Sequence, residues 1–255
     1  MAIELVTVPC LKDNYAFLLR DPATGVVALI DAPEEGPVLS ELAVRGWRLS
    51  KILLTHHHAD HIGGVFGLAG ASGAKVVGAA ADAHRLPPLD RQLSPGDVVR
   101  IGSEAGVVLD APGHTVGHIA FHFPDSGLLF TGDSLMAAGC GRLFEGTPEQ
   151  MWSTLSTMAA LPGETLVCSG HEYTQSNLAF AQTLEPENPA LISRIARVAE
   201  ARQLGRPSVP SRLSDELATN PFLRAPLPAM KAALGLPDAS DVQAFAEARA
   251  RKDRF

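Results

Sequence analysis

The sequence predicts an α/β domain over residues 1–172 followed by a smaller all-helical domain over residues 173–255. Three observations point there. Up to about residue 135, short apolar or β-branched runs alternate with Gly, Pro and Asp turn signals, the pattern of a sheet-building chain. Several of the apolar runs end at a His or Asp, which places chemistry at the rim of the sheet. Past His171 the apolar spacing changes to the helical period.

Taken in order, the stretch AFLLRDPATGVVALIDAP is two strands around an Asp21–Gly25 turn. KILLT is a strand leading into HHHADH, after which IGG opens a helix. In TPEQMWSTLSTMAALPG, Thr147 caps a helix, Pro148 suits its first position, Gln150 completes a capping box, and Met151, Leu155 and Met158 share a face. TLVCSG returns to a strand. Asn188-Pro189 opens a helix whose Leu191, Ile195 and Val198 lie on one side until Gly205 stops it. Ser240 and Gln243 form a second capping box ahead of the last helix, DVQAFAEARARKD. There is no repeat at solenoid periods and no low-complexity tract.

Composition excludes several classes. With 255 residues, 46% of them hydrophobic, the chain buries a sizeable core. No apolar run reaches the ~18 residues of a membrane span. The opening MAIELVTVPCLKD has no basic leader region, so a cytoplasmic protein with no membrane partner is expected. Cys10, Cys140 and Cys168 are odd in number and far apart, which suits reduced thiols rather than a disulfide framework or a zinc ribbon. A net charge of −7 argues against a broad nucleic-acid surface.

The histidines carry the chemistry. His56 and His58 sit two apart behind KILLT, a spacing that in extended backbone turns both side chains to one side and His57 to the other. Asp60 and His61 follow at once. Three further apolar runs close in the same way, at His114, Asp133 and His171, and strand ends of one sheet lie close together. Seven donors exceed one tetrahedral ion. Divided by reach, His56, His58 and His114 serve one divalent metal, Asp60, His61 and His171 a second, and Asp133 is shared. Two ions about 3.5–4 Å apart hold a hydroxide between them, because metal binding lowers the pKa of water towards ~7. That set of donors points to a hydrolase. His57 is expected to find a carboxylate or backbone partner, His118 and His122 to be structural, and His84 to be exposed. Asp31 also ends an apolar run, but with both sites filled it is expected behind the ligands or in a turn. Cys168, in mid-strand, is core packing.

At these residues the chain resembles the metallo-β-lactamase superfamily, whose T-H-x-H-x-D-H motif matches Thr55–His61 and whose later His, Asp and His match His114, Asp133 and His171. The resemblance implies an αββα four-layer sandwich with the metals at one sheet edge. Within the superfamily the chain is similar to the glyoxalase II family over essentially its full length, through KDNYAFLLRD, GCGRLFEGT, GHEYT, NPFLR and the closing ARKDRF. This implies hydrolysis of S-D-lactoylglutathione to D-lactate and glutathione, the second step of methylglyoxal detoxification. It also implies two divalent metals per chain, zinc with iron or manganese as substitutes, and a monomer. Asp60 and Asp133 are then the catalytic carboxylates, with Asp60 orienting the hydroxide. The family's glutathione contacts carry over to Arg142, Phe144, Tyr173, Arg249 and Lys252. Many eukaryotic members have Lys and Tyr where this chain has Arg142 and Phe144, and a phenyl ring forgoes a hydrogen bond of about 0.5–1.5 kcal/mol. The rival expectation is a one-iron glutathione-persulfide dioxygenase of the same superfamily.

Overall fold

The computed structural model describes residues 3–255. The first strands, β1 (Glu4–Cys10), β2 (Asn14–Arg20) and β3 (Val27–Ile30), form an antiparallel meander that β4 (Leu49–Leu53), β5 (Lys75–Ala79) and β6 (Arg91–Leu93) extend in parallel. β2 and β3 are buried almost throughout, as expected of strands covered on both faces. A second set, β7 (Val98–Ile101), β8 (Glu104–Asp110), β9 (Ile119–Phe123) and β10 (Leu128–Gly132), pairs antiparallel in chain order. The two sheets meet through aromatic side chains: Phe17 on β2 lies edge-on to Phe130 on β10 at 5.5 Å, and Phe130 in turn meets Phe123 at 6.0 Å.

The Asp21–Gly25 turn forms as the sequence predicts. Asp21 accepts the Ala23 N–H and the Thr24 hydroxyl within the turn, and the Ser103 N–H and hydroxyl from the β7–β8 turn. These bonds, the Ser103 amide first, hold its carboxyl well below the usual carboxylate range.

Helices α1 (Glu35–Arg45), α2 (Ala59–Ile62) and α3 (Val65–Ser72) follow β3 and β4. Here the structure corrects the expected helix start. The helical turn begins at Ala59, directly after an extended His58, so Asp60 and His61 are inside it rather than ahead of it. Within IGG, Ile62 ends α2, and Gly63 and Gly64 separate it from α3 instead of opening a helix. These glycines are there for space: a Cβ on Gly64 would lie 2.6 Å from the Glu34 backbone carbonyl carbon.

By backbone contacts the chain divides into two units. One holds the chain up to Ala111 with Gly117–Gly132, and the other holds Pro112–Val116 with Asp133–Phe255. The second unit contains a tight hairpin of β11 (Leu135–Met136) and β12 (Gly139–Cys140), the pair β13 (Leu166–Ser169) and β14 (Ser211–Arg212), and six helices among the described residues. These are α4 (Pro148–Ala159), α5 (Thr174–Leu184), α6 (Pro189–Gln203), α7 (Leu213–Thr219), α8 (Pro228–Ala233) and α9 (Asp241–Arg254). Past residue 172 the regular elements are therefore helices, joined by turns and loops, with the two residues of β14 as the exception.

The caps are where the sequence places them. Thr147 and Gln150 exchange hydrogen bonds at α4, as do Ser240 and Gln243 at α9, and the Asn188 side chain accepts from the Ala190 and Leu191 amides at α6. Met151, Leu155 and Met158 are buried, and Leu191 joins Ala138, Leu178 and Ala181 in a core on which Ile195 and Val198 pack. Thr147→Ala is expected to lower unfolding free energy by about 1 kcal/mol, read from urea denaturation, with unchanged turnover. Among the described residues no helix is long and apolar enough to cross a membrane.

Candidate metal centre

Each of the expected donors follows a strand. β4 ends three residues before His56, β8 four before His114, β10 immediately before Asp133 and β13 two before His171. The donor atoms fall into three groups within which all lie within 4.8 Å of one another: His56, His58 and His114; Asp60, His61 and His171; and His56, His61 and Asp133. All seven residues are thus brought together, and the group containing Asp133 draws one histidine from each of the other two.

The separations suit coordination. Donors at about 2.0–2.2 Å from one ion, at tetrahedral angles, stand roughly 3.3–3.6 Å apart. His56 Nε2 and His58 Nδ1 are 3.1 Å apart. Asp133 Oδ2 is 3.5 Å from His114 Nε2 and 3.3 Å from His171 Nε2. One carboxylate oxygen therefore spans a histidine of each triad.

The outer partners set which ring nitrogen is offered. His61 Nδ1 faces Asp31 Oδ2 at 2.8 Å, and His114 Nδ1 faces the Arg142 carbonyl at 2.7 Å. An acceptor at Nδ1 keeps the proton there and leaves the Nε2 lone pair for an ion. Asp31 extends the same control to His56, because it accepts the Thr55 amide at 2.8 Å and the Thr55 hydroxyl at 2.8 Å, leaving Thr55 Oγ1 to accept from His56 Nδ1 at 3.0 Å. This chemistry fits a pair of first-row divalent ions, whose borderline character takes imidazole and carboxylate together. Asp31 thus stands behind the ligands, as expected. His57 turns to Asp82 at 3.1 Å, His118 is buried and stacks on His56 at 4.7 Å, and His84 is exposed.

Two residues of the site have no short-range signal in the sequence. Asn14, 46 residues upstream of Asp60, donates from Nδ2 to both the Asp60 carbonyl and Oδ2 at 3.0 Å. Asp82 holds His57 and Arg85.

The residues expected to contact substrate take varied positions. Phe144 is exposed and lies edge-on to the His114 ring at 5.2 Å, so its contribution here is an apolar wall beside a donor. Tyr173 stacks on His171 at 4.6 Å with an 8° interplanar angle and is 40% exposed. Arg142 is exposed, with Nε 3.3 Å from Asp253. Lys252 donates to the Ser176 carbonyl and hydroxyl, and burial holds its pKa below the usual value. Arg249, also carried over as a glutathione contact, is not open to solvent. It is buried, with its guanidinium on the Cys140 carbonyl at 2.9 Å, on Asp253 at 2.8 Å, and over the Phe222 ring. Its surroundings are hydrogen-bond acceptors of this chain, so it anchors α9 and reaches outward only by releasing Asp253.

Two facing sheets with His and Asp donors at their strand ends define a metallo-β-lactamase-type metal site, and residues 13–171 match the sequence model of the metallo-beta-lactamase superfamily. The crystal structure of the BLEG-1 B3 metallo-beta-lactamase has the same fold, with a TM-score of 0.68 at 20% identity, covering 86% of this chain and 99% of that one. TTHA1623 in a di-iron-bound form gives 0.58 at 30% identity over 66% of this chain and 91% of that one. Residues 172–255 match the model described as the hydroxyacylglutathione hydrolase C-terminus. A hydroxyacylglutathione hydrolase from Cereibacter sphaeroides (strain ATCC 17025 / ATH 2.4.3) is 68% identical over 255 residues, 100% of both chains. The chain belongs to the hydroxyacylglutathione hydrolase family.

Proposed function

We propose that the protein hydrolyses S-(2-hydroxyacyl)glutathione thioesters, S-D-lactoylglutathione in particular, to the hydroxy acid and glutathione at a binuclear metal centre. The observation that carries this reading is the position of Asp133 Oδ2, at coordination-edge distance from His114 of one triad and His171 of the other. His56, His58 and His114 would hold one ion, Asp60, His61 and His171 the other, and Asp133 both; zinc, iron and manganese suit these donors. When bound, the metals supply a water of lowered pKa and polarise the thioester carbonyl. A one-iron dioxygenase would leave the second triad without a use.

The chain's own residues orient and bind. Asn14 fixes the Asp60 carboxylate, which aligns the attacking water. No strong general acid is required, since a leaving thiolate has a pKa of about 8.5. Residues 1–172 provide the metal centre and residues 173–255, with Arg142, the glutathione contacts. Lys252 and Arg142 meet the glutathione carboxylates, Tyr173 and Phe144 contact the rest of the glutathione moiety, and Arg249, held by the Cys140 carbonyl and Asp253, supports that end of α9. Methylglyoxal detoxification in the cytoplasm by a monomer suits this chemistry, as do three buried cysteines, none of them in a disulfide.

Metal analysis and steady-state kinetics on the glutathione thioester and on a small thioester test this together. The wild type should carry close to two metals per chain and lose activity on chelation. Arg142→Ala with Lys252→Ala should raise KM for the glutathione thioester by roughly tenfold or more, at full metal content, and leave the small thioester unaffected. Full activity with one metal would overturn the binuclear reading. Equal losses on both substrates would overturn the glutathione assignment.

A further inference from the structure

The hairpin that begins just after Asp133 is held in an unusual way. Its peptide groups are gripped one by one by side chains from three helices. Glu216, from α7, accepts the Ala138 N–H at 2.7 Å. Asn220, which caps α7, donates to the Met136 carbonyl at 3.2 Å and the Gly139 carbonyl at 2.9 Å. Asn177 of α5 donates to the Ala137 carbonyl at 3.0 Å, and Arg249 of α9 to the Cys140 carbonyl at 2.9 Å. Glu216 is fully buried and paired with the buried Arg194, so the grip rests on an ion pair sealed from water. Ala138, at the hairpin tip, has φ 56, the left-handed region that favours glycine, and is kept there by these bonds.

Both ends of the hairpin belong to the metal site. Asp133 precedes it, and the Gly141 amide bonds back to the Ser134 carbonyl at 3.0 Å. A Cβ on Gly141 would collide with the Asp133 carbonyl oxygen, so the chain closes tightly on the donor residue. Just past the hairpin, the Arg142 carbonyl accepts from His114 Nδ1 at 2.7 Å. The hairpin therefore fixes the backbone of one donor and the ring orientation of another.

We infer that Asn177, Glu216 and Asn220 are positioning residues for the metal centre: the C-terminal helices hold the Asp133–Arg142 segment in the geometry that binds metal. The inference rests on reading Asp133 and His114 as ligands. It gives the helical region a role apart from substrate recognition, since outer partners that orient ligands commonly matter about 10–100-fold in metal affinity.

The test is zinc affinity of metal-stripped protein, titrated against a chromophoric chelator, for Asn220→Ala and Asn177→Ala, with melting temperature measured on the same stripped samples. Met230→Ala, a truncation of a fully buried α8 side chain in the same unit, is the control for lost stability. Asn220→Ala should weaken at least one of the two zinc sites by about 10–100-fold. Asn177→Ala, which removes a single bond, should weaken it by roughly 3–10-fold. Met230→Ala should lower the melting temperature and keep both affinities. Wild-type affinities in the folded Asn variants, or an equal loss in Met230→Ala, would overturn the inference. If Asn220→Ala does not fold, Asn177→Ala decides between the same outcomes. A wild type that binds a single zinc would instead overturn the ligand reading itself.

Discussion

Asp133→Ala is expected to give a folded protein that carries close to one metal and turns over roughly 10²–10⁴-fold more slowly. Asp133 follows β10 directly, is buried, and presents Oδ2 to His114 and His171 at 3.5 Å and 3.3 Å. Alanine deletes the one donor that the two triads have in common, while each triad keeps its three remaining donors. The residues assigned to glutathione are elsewhere in the sequence, so the loss should fall on kcat with KM nearly unchanged, the signature of an interaction used in the transition state. The checks are metal content, kcat and KM, with circular dichroism to confirm the fold. A folded Asp133→Ala protein that holds two metals and turns over at the wild-type rate would remove Asp133 from the role of shared ligand.

The second large effect is expected from Asp31→Asn, a change of one atom. As a carboxylate, Asp31 can accept from the Thr55 amide, the Thr55 hydroxyl and His61 Nδ1 together. An amide can preserve the first of these with its oxygen, but its NH₂ then faces His61 Nδ1. To accept from that NH₂, His61 must shift its proton to Nε2, the nitrogen that would bind metal. The Thr55 hydroxyl is likewise released to donate towards His56 Nδ1, which biases a second imidazole the wrong way. Metal affinity should fall by about 10–100-fold, and high metal concentrations should restore much of the activity. Asp31→Glu tests the acceptor chemistry with a longer arm and should do less harm to the tautomers. Undiminished metal binding by Asp31→Asn would mean that the tautomers are set by other partners.

The donors were legible in the sequence because each lies on the segment that leaves a strand, and the ends of neighbouring strands lie close together; the local rule therefore carries long-range information. The caps at Thr147, Asn188 and Ser240 were legible because a capping bond spans only two or three residues. What escaped were contacts across long stretches of chain that obey no spacing. Asn14 reaches Asp60 across 46 residues, and Asn220 reaches Gly139 across 81. Arg249 reads as a surface cation of the last helix, yet it is buried against Phe222 and the Cys140 carbonyl, contacts 27 and 109 residues away in the chain. The break between α2 and α3 falls where Gly64 leaves room for the Glu34 backbone, a tertiary constraint that local propensity does not contain.

The buried cysteines have a bearing on the chemistry of the substrate. A thioester is an acyl donor to any thiolate it meets, and hydrolysis liberates glutathione, a thiol that exchanges with disulfides. Burial pushes the Cys10 and Cys140 thiols up to about 11 and raises Cys168 further. At neutral pH only about one in 10⁴ of the first two is then ionised, and the attacking species in acyl or disulfide exchange is the thiolate. Acyl capture by the protein and mixed-disulfide formation with released glutathione are both suppressed by placement alone. The chain handles a reactive acyl group and sets free a thiol without offering either of them a sulfur of its own.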